Sequence, residues 1–144
     1  MPMVETRRIL LDGVATEVRR SGDWLQAGDG RRILCDKAVH LPPSQPTKII
    51  CIHLNFMSRV RELKTTSPDE PSYFHKPISC LNAHRGAVVR PRDCKYLNYE
   101  GEVAAVVGRP MRNVGRDEVW DYLAGFAPAN ATSAQDFRDT DAGS

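Results

Sequence analysis

Residues 99–108 have the sequence YEGEVAAVVG, and the rest of the chain is most easily understood around them. An uninterrupted apolar run from Val103 to Val107 ends at Gly108, which predicts a β-strand buried on both faces. Because side chains alternate along a strand, Glu100 and Glu102 are predicted to point to the same side.

The two glutamates allow two interpretations. Like charges at the mouth of a buried strand are unfavourable, because each carboxylate loses its hydration and repels the other. A divalent cation such as Mg²⁺, which proteins often hold with one or two carboxylates and waters, removes both penalties. Alternatively, the strand begins at the surface and both glutamates are solvated there. These residues alone leave both interpretations open.

Composition excludes several classes of protein. The chain has 144 residues, 41% hydrophobic and 26% charged, which suits one domain or one small domain plus part of another. A net charge of +2 without a basic, aromatic-rich stretch predicts no nucleic-acid partner. No apolar segment is long enough to span a membrane, and the N-terminus lacks a hydrophobic signal core, so we expect a cytoplasmic protein. Four widely spaced cysteines without a Cys-x-x-Cys pattern favour reduced thiols over a zinc site.

Turn signals and prolines predict the domain organisation. Residues 1–40 are expected to form a small N-terminal β unit, in which Asp12-Gly13 is a strong hairpin signal. The proline-rich segment 41–46, LPPSQP, is the predicted connector. Residues 47–144 then form the second predicted domain.

The second predicted domain opens with the segment 48–54, KIICIHL, a continuous apolar run typical of a buried strand. Residues 55–63 carry a broken helical pattern that places Arg59 and Glu62 on one face, where the simplest interpretation is a surface ion pair. Lys76, at the end of a short aromatic strand, is either solvated or faces a ligand. Further predictions are a short strand over residues 87–91 and a short helix over residues 116–123.

Several segments, in this order and spacing, resemble the fumarylacetoacetate hydrolase family. They are 48–56 (KIICIHLNF), 73–77 (YFHKP), 98–109 (NYEGEVAAVVGR), 121–126 (DYLAGF), and Ala129 with Asn130. Residues 58–59 and 136–141 are most similar to the branch of 2-hydroxyhepta-2,4-diene-1,7-dioate isomerases. The resemblance implies a β-rich α+β fold: an incomplete mixed β-roll, like the N-terminal half of the family's catalytic domain, preceded by a small N-terminal β unit.

The resemblance also implies a chemistry. Family members isomerise, decarboxylate or hydrolyse 2-oxo or 2-hydroxy-dienoate dicarboxylic acids through an enolate stabilised by a divalent metal. The family's two glutamate metal ligands correspond to Glu100 and Glu102, which strand alternation also places on one side. The implied cofactor is Mg²⁺ or Mn²⁺, and the implied partner is a small 2-oxo acid substrate.

The family's lid, after the first strand of the domain, often carries a histidine and a glutamate. Here those places hold Arg59 and Glu62. Glu62 is the candidate general base, whereas Arg59 cannot deprotonate and is assigned to an acidic substrate group. Lys76 matches the family's Lys-Pro strand end and is a second candidate for substrate binding. This set suits an isomerase or decarboxylase better than a hydrolase.

Two departures from the family's sequence pattern argue against full enzymatic activity. Ala131 stands where the family has an aspartate that is its third metal ligand, so metal affinity is expected to be weakened. The sequence also stops about halfway through the family's domain, which predicts a homodimer or a missing C-terminal half. The alternative to an enzyme is therefore a catalytically inactive truncated relic or interaction module.

Overall fold

The computed structural model describes residues 3–140, with side chains as far as Phe137. Over that range it is rich in strands, as predicted, with a single short α-helix. The elements are β1 (Thr6–Leu11), β2 (Val14–Ser21), β3 (Trp24–Ala27), β4 (Arg32–Leu34), β5 (Val39–Leu41), β6 (Ile49–His53), α1 (Met57–Glu62), β7 (Ser72–Lys76), β8 (Leu97–Asn98), β9 (Gly101–Val107), β10 (Leu123–Asn130), β11 (Ser133–Ala134), and 3₁₀ helices at Ile78–Cys80, Val119–Tyr122 and Gln135–Thr140.

The chain divides into two compact units, one ending at Gly86 and one beginning at Ala87. The connector predicted at residues 41–46 lies within the first unit and begins at the last residue of β5. The assignment of functional domains to residues 1–40 and 47–144 stays a prediction.

An antiparallel sheet of five strands, in the order β4-β3-β2-β1-β5, forms the main part of the first unit. The predicted hairpin joins β1 to β2, with Leu11 opposite Val14. Asp12 and Gly13 have φ values of 53° and 78°, as a two-residue turn with a right-handed strand twist requires. One face of this sheet carries the buried core, which consists of Ile9, Leu11, Val18, Leu25, Ala27 and Ala38.

A buried histidine, His40 on β5, lies beside this core. Its Nε2 atom has no hydrogen-bond partner among the described residues, and its ring packs edge-on against His84 with centroids 4.8 Å apart. Burial lowers the pKa of His40, and the positive charges of Arg7 and Arg85 and the ring of His84 act in the same direction. A hydrogen bond with the Cys35 backbone opposes the shift.

Acid is therefore expected to destabilise the chain through His40. In the unfolded chain His40 has its ordinary pKa of 6.5, whereas in the folded chain its pKa is lower. As the pH falls below 6.5, the unfolded chain therefore binds a proton that the folded chain does not, and the folded state loses stability until the pH has passed the lowered pKa. Urea unfolding at about pH 7.5 and about pH 5.5 measures the loss, which His40→Leu should reduce. His75→Leu, which removes an exposed histidine, is the matched control and should keep the wild-type loss. Equal losses in wild type and His40→Leu would contradict the assignment.

The second sheet of the first unit pairs β6 with β7 in antiparallel fashion. The prediction of a strand at residues 48–54 is confirmed, but its predicted burial is wrong, because Ile50 and Ile52 are about half exposed. In the described residues β6 has β7 as its only neighbour in the sheet, and an apolar run by itself does not show whether a second layer covers it.

The second unit contains two antiparallel pairs, β9 with β10 and β8 with β11. The predicted strand at Val103–Val107 is confirmed, but the prediction that it is buried on both faces is wrong. Val103 is 71% exposed and Val107 is 56% exposed, and Phe126 on β10 is exposed beside them on the same face. The reason is that the described residues give β9 a single neighbouring strand and leave this face uncovered.

Two smaller predictions for the second unit need correction. The helix predicted over residues 116–123 is only a 3₁₀ turn at Val119–Tyr122, since so short a segment gains too few helical hydrogen bonds to offset nucleation. Residues 87–91 form no strand in the described structure, and the proline that ends the segment cannot donate a backbone hydrogen bond to a sheet. Among residues 3–140, no helix is both long and apolar enough to cross a membrane.

Candidate metal centre

Glu100 and Glu102 lie on the same side of the β9 backbone. Exposure alternates along this segment: both glutamates are half-buried, whereas Gly101 between them and Val103 after them are exposed. Glu102 stands opposite Ala129 of β10, and Gly101 stands opposite Asn130. The two carboxylates therefore share the more buried face of the strand pair, as the alternation argument requires.

Glu100 is held by hydrogen bonds at three points. Its backbone N–H donates to the side-chain oxygen Oδ1 of Asn130 at 3.0 Å, and its carbonyl oxygen accepts the N–H of Ala131 at 2.9 Å. Its carboxylate oxygen Oε1 accepts the hydroxyl of Ser133 at 2.5 Å. These bonds fix both the backbone and the side chain of Glu100 at the start of β9.

Ala131 follows the last residue of β10, and its N–H donates to the carbonyl oxygen of Glu100. The register of β9 and β10 continues through its bond to Glu100, so Ala131 faces Glu100 on the side that Glu102 also shares. A methyl group there contributes no donor atom. Within the described part of the chain, no group of three or more histidine, cysteine, aspartate or glutamate side chains is placed to hold a metal.

The donor set that fits a cation is thus the pair of carboxylates. Two half-buried carboxylates suit Mg²⁺ or Mn²⁺, which bind oxygen and keep several waters or substrate oxygens in their coordination shell. Glu100 and Glu102 are the residues that would hold such an ion, with fewer negative charges than a site of three carboxylates.

Asp136 does not replace the absent carboxylate at position 131. Its oxygens accept the backbone N–H of Lys95 and, at 2.8 Å, the N–H of Tyr96. The Lys95 hydrogen bond is the main cause that lowers the pKa of Asp136, with a further contribution from Tyr96. The Asp136 carboxylate therefore holds the backbone of the segment before β8 through these hydrogen bonds.

The other predicted site residues belong to the first unit. Arg59 and Glu62 are brought together on α1, where Arg59 Nη1 lies 2.8 Å from Glu62 Oε2 and the side chains are 43% and 67% exposed. That geometry matches the surface ion pair that the sequence also allowed. Lys76 is half-buried at the end of β7, opposite Ile49 of β6. The substrate-binding and catalytic roles of these three residues stay predictions.

Ser133 and Gln135, which the sequence did not indicate, are connected by hydrogen bonds to the carboxylate of Glu100. Gln135 Nε2 donates to Ser133 Oγ at 2.9 Å, and Ser133 donates to Glu100. No spacing in the sequence reveals this arrangement, because Ser133 and Glu100 are 33 positions apart. The one available signal was the position of Ser133, two residues beyond Ala131 on a segment already matched to the site.

The model of the fumarylacetoacetate (FAA) hydrolase C-terminal domain matches residues 48–144. An uncharacterized protein of Methanocaldococcus jannaschii is 35% identical over 104 residues, which are 72% of this chain and 44% of that protein. The homoprotocatechuate catabolism bifunctional isomerase/decarboxylase of Escherichia coli is 29% identical over 109 residues, 76% of this chain and 26% of that enzyme. The chain spans less than half the length of these curated relatives.

Among solved structures, the 5-carboxymethyl-2-hydroxymuconate delta-isomerase of Mycobacterium smegmatis is similar to this chain with a TM-score of 0.79 and 24% identity. The match covers 96% of this chain and 58% of that enzyme. At this identity the likeness concerns the fold, and it confirms the predicted β-rich architecture with its N-terminal β unit.

Proposed function

Because the chain belongs to the fumarylacetoacetate hydrolase family, we propose that it binds a divalent cation and acts on 2-oxo or 2-hydroxy-dienoate dicarboxylic acids. The reaction we propose is isomerisation or decarboxylation, ahead of hydrolysis. The names of the Escherichia coli and Mycobacterium smegmatis relatives support this reaction class. Arginine in place of the lid histidine supports it too, since arginine cannot activate a water.

The observation that carries the proposal is the arrangement of the two glutamates. Glu100 and Glu102 share one half-buried face, and Glu100 is fixed in backbone and side chain before any ligand arrives. Carboxylates that are only solvated gain nothing from such restraint. Prior ordering lowers the entropic cost of binding and favours a cation that needs oxygen ligands in a set geometry.

We assign roles to the chain's residues by their chemistry. A divalent ion, when bound, supplies Lewis-acid stabilisation of negative charge that develops on the 2-oxo group of the substrate. Glu100 and Glu102 hold that ion. Glu62 is the proposed general base, and Arg59 and Lys76 are the proposed partners of the substrate's carboxylates. An incoming carboxylate would compete with Glu62 for Arg59 and so release Glu62 from its ion pair.

A second candidate function follows from Ala131. Its methyl group faces Glu100 where a carboxylate would raise cation affinity, and this favours a non-catalytic descendant that keeps the scaffold as an interaction module. For either function, the proposed partner that covers the apolar face of β9 and β10 is a second copy of the chain or additional sequence. The cytoplasmic location stays a prediction.

A direct assay separates the two functions. The purified chain is incubated with Mn²⁺ and 2-hydroxyhepta-2,4-diene-1,7-dioate, and the products are identified by NMR as isomer, decarboxylated acid or cleaved fragments. The enzyme proposal expects metal-dependent conversion that Glu62→Gln reduces by about 100-fold, as loss of a general base does. Glu70→Gln, in the polar segment after α1, is the matched control. Absence of conversion with the metal bound would favour the interaction module.

A further inference from the structure

A chain of two hydrogen bonds connects Gln135 to the candidate metal ligand Glu100. Gln135 Nε2 donates to Ser133 Oγ at 2.9 Å, and Ser133 donates to Glu100 Oε1 at 2.5 Å. All three side chains are half-buried, which shields the bonds from competition with water and makes them stronger than at an open surface.

The direction of this chain is set at Gln135. An amide nitrogen can only donate, so the hydroxyl of Ser133 accepts from Gln135 and has one proton left to give. An ionised carboxylate can only accept, and Glu100 is the acceptor that this proton reaches. The hydrogen bond from Gln135 therefore leaves the Ser133 hydroxyl to donate its proton to Glu100.

The backbone that carries Ser133 and Gln135 is itself fixed. Ser133 stands opposite Asn98 in the pairing of β11 with β8, and the N–H of Gln135 donates to the carbonyl of Tyr96 at 3.0 Å. Asp136 adds its hydrogen bonds to the N–H groups of Lys95 and Tyr96. The side chains of Ser133 and Gln135 therefore extend from backbone that is itself held in place by hydrogen bonds. A group that orients a metal ligand needs such a rigid support.

From these contacts we propose that Ser133 and Gln135 are positioning residues that orient the Glu100 carboxylate for a divalent cation. The inference rests on the proposed function, to which it adds two residues. The Ser133 hydroxyl engages Oε1 and fixes the orientation of the carboxylate, which leaves Oε2 for the cation. Groups that hydrogen-bond to metal ligands commonly contribute 10- to 100-fold to metal affinity.

The test is Mn²⁺ titration by calorimetry on the full chain, with circular dichroism to verify folding. Ser133→Ala should weaken Mn²⁺ binding by about 10-fold or more, and Ser133→Thr, which keeps the hydroxyl, should stay within about 3-fold of wild type. Gln135→Met keeps the length of the side chain but removes the donor, and should weaken binding by about 3- to 10-fold. Ser21→Ala, at an exposed site on β2, is the matched control with unchanged affinity.

The outcomes separate this inference from the proposed function. Wild-type affinity in both Ser133→Ala and Gln135→Met would overturn the positioning role while leaving the metal site intact. Failure of the wild-type chain to bind Mn²⁺ would overturn the metal site and the positioning role together. If Ser133→Ala does not fold, the comparison of Gln135→Met with wild type decides in the same way.

Discussion

Glu100→Gln should lower the affinity of the chain for Mn²⁺ by about 100-fold or more, since losing a direct ligand costs at least as much as losing an outer one. The substitution keeps the shape of the side chain and an oxygen that can accept the Ser133 hydroxyl, so the hydrogen bonds that hold this segment are preserved. It removes one of the two negative charges available to the cation, and calorimetric titration measures the difference.

The matched control for this charge is Glu17→Gln, at an exposed position on β2 in the first unit. It changes the net charge by the same amount and should leave Mn²⁺ affinity unchanged. If Glu100→Gln and Glu17→Gln bind Mn²⁺ equally well, the carboxylate at position 100 is not a metal ligand and the metal assignment fails.

Ala131→Asp is the second substitution with a large expected effect. Position 131 faces Glu100, so an aspartate there adds a third carboxylate to the same side of the strand pair. Mn²⁺ affinity should rise by about 10-fold or more, because the number of charged ligands sets the affinity of such sites. Without metal, the added charge repels Glu100 and Glu102 and should lower the melting temperature.

Thermal unfolding with and without Mn²⁺ checks both expectations at once. The rise in melting temperature on adding metal should be larger for Ala131→Asp than for wild type, because a tighter ligand stabilises the folded state more. Ala15→Asp, which adds the same charge at an exposed position of β2, should show the wild-type rise. A rise in Ala131→Asp no larger than that in wild type would mean that position 131 does not face a cation.

Local patterns predicted the parts of this structure that local forces determine. Asp12 and Gly13 adopt the positive φ values that their hairpin demands, and this turn needs no distant contact to form. The side of the strand on which Glu100 and Glu102 lie also follows from alternation, a property of any extended chain.

Contacts between distant segments could not be predicted in this way. The apolar run Val103–Val107 has the composition of a strand covered on both faces, but coverage depends on which other layers are present. The bond from Ser133 to Glu100 depends on the register of β8, β9, β10 and β11, which no spacing in the sequence encodes. The helix expected at residues 116–123 failed for another reason: the segment is too short for its helical hydrogen bonds to offset nucleation, and only the 3₁₀ turn at Val119–Tyr122 forms.

Anomalous diffraction from crystals of the chain grown with Mn²⁺ is the most direct test of the metal centre. We expect a peak at the manganese absorption edge within coordination distance of carboxylate oxygens from both Glu100 and Glu102, with Ser133 still bonded to Glu100. Crystals that hold manganese elsewhere, or not at all, and show no peak beside these two glutamates would contradict it.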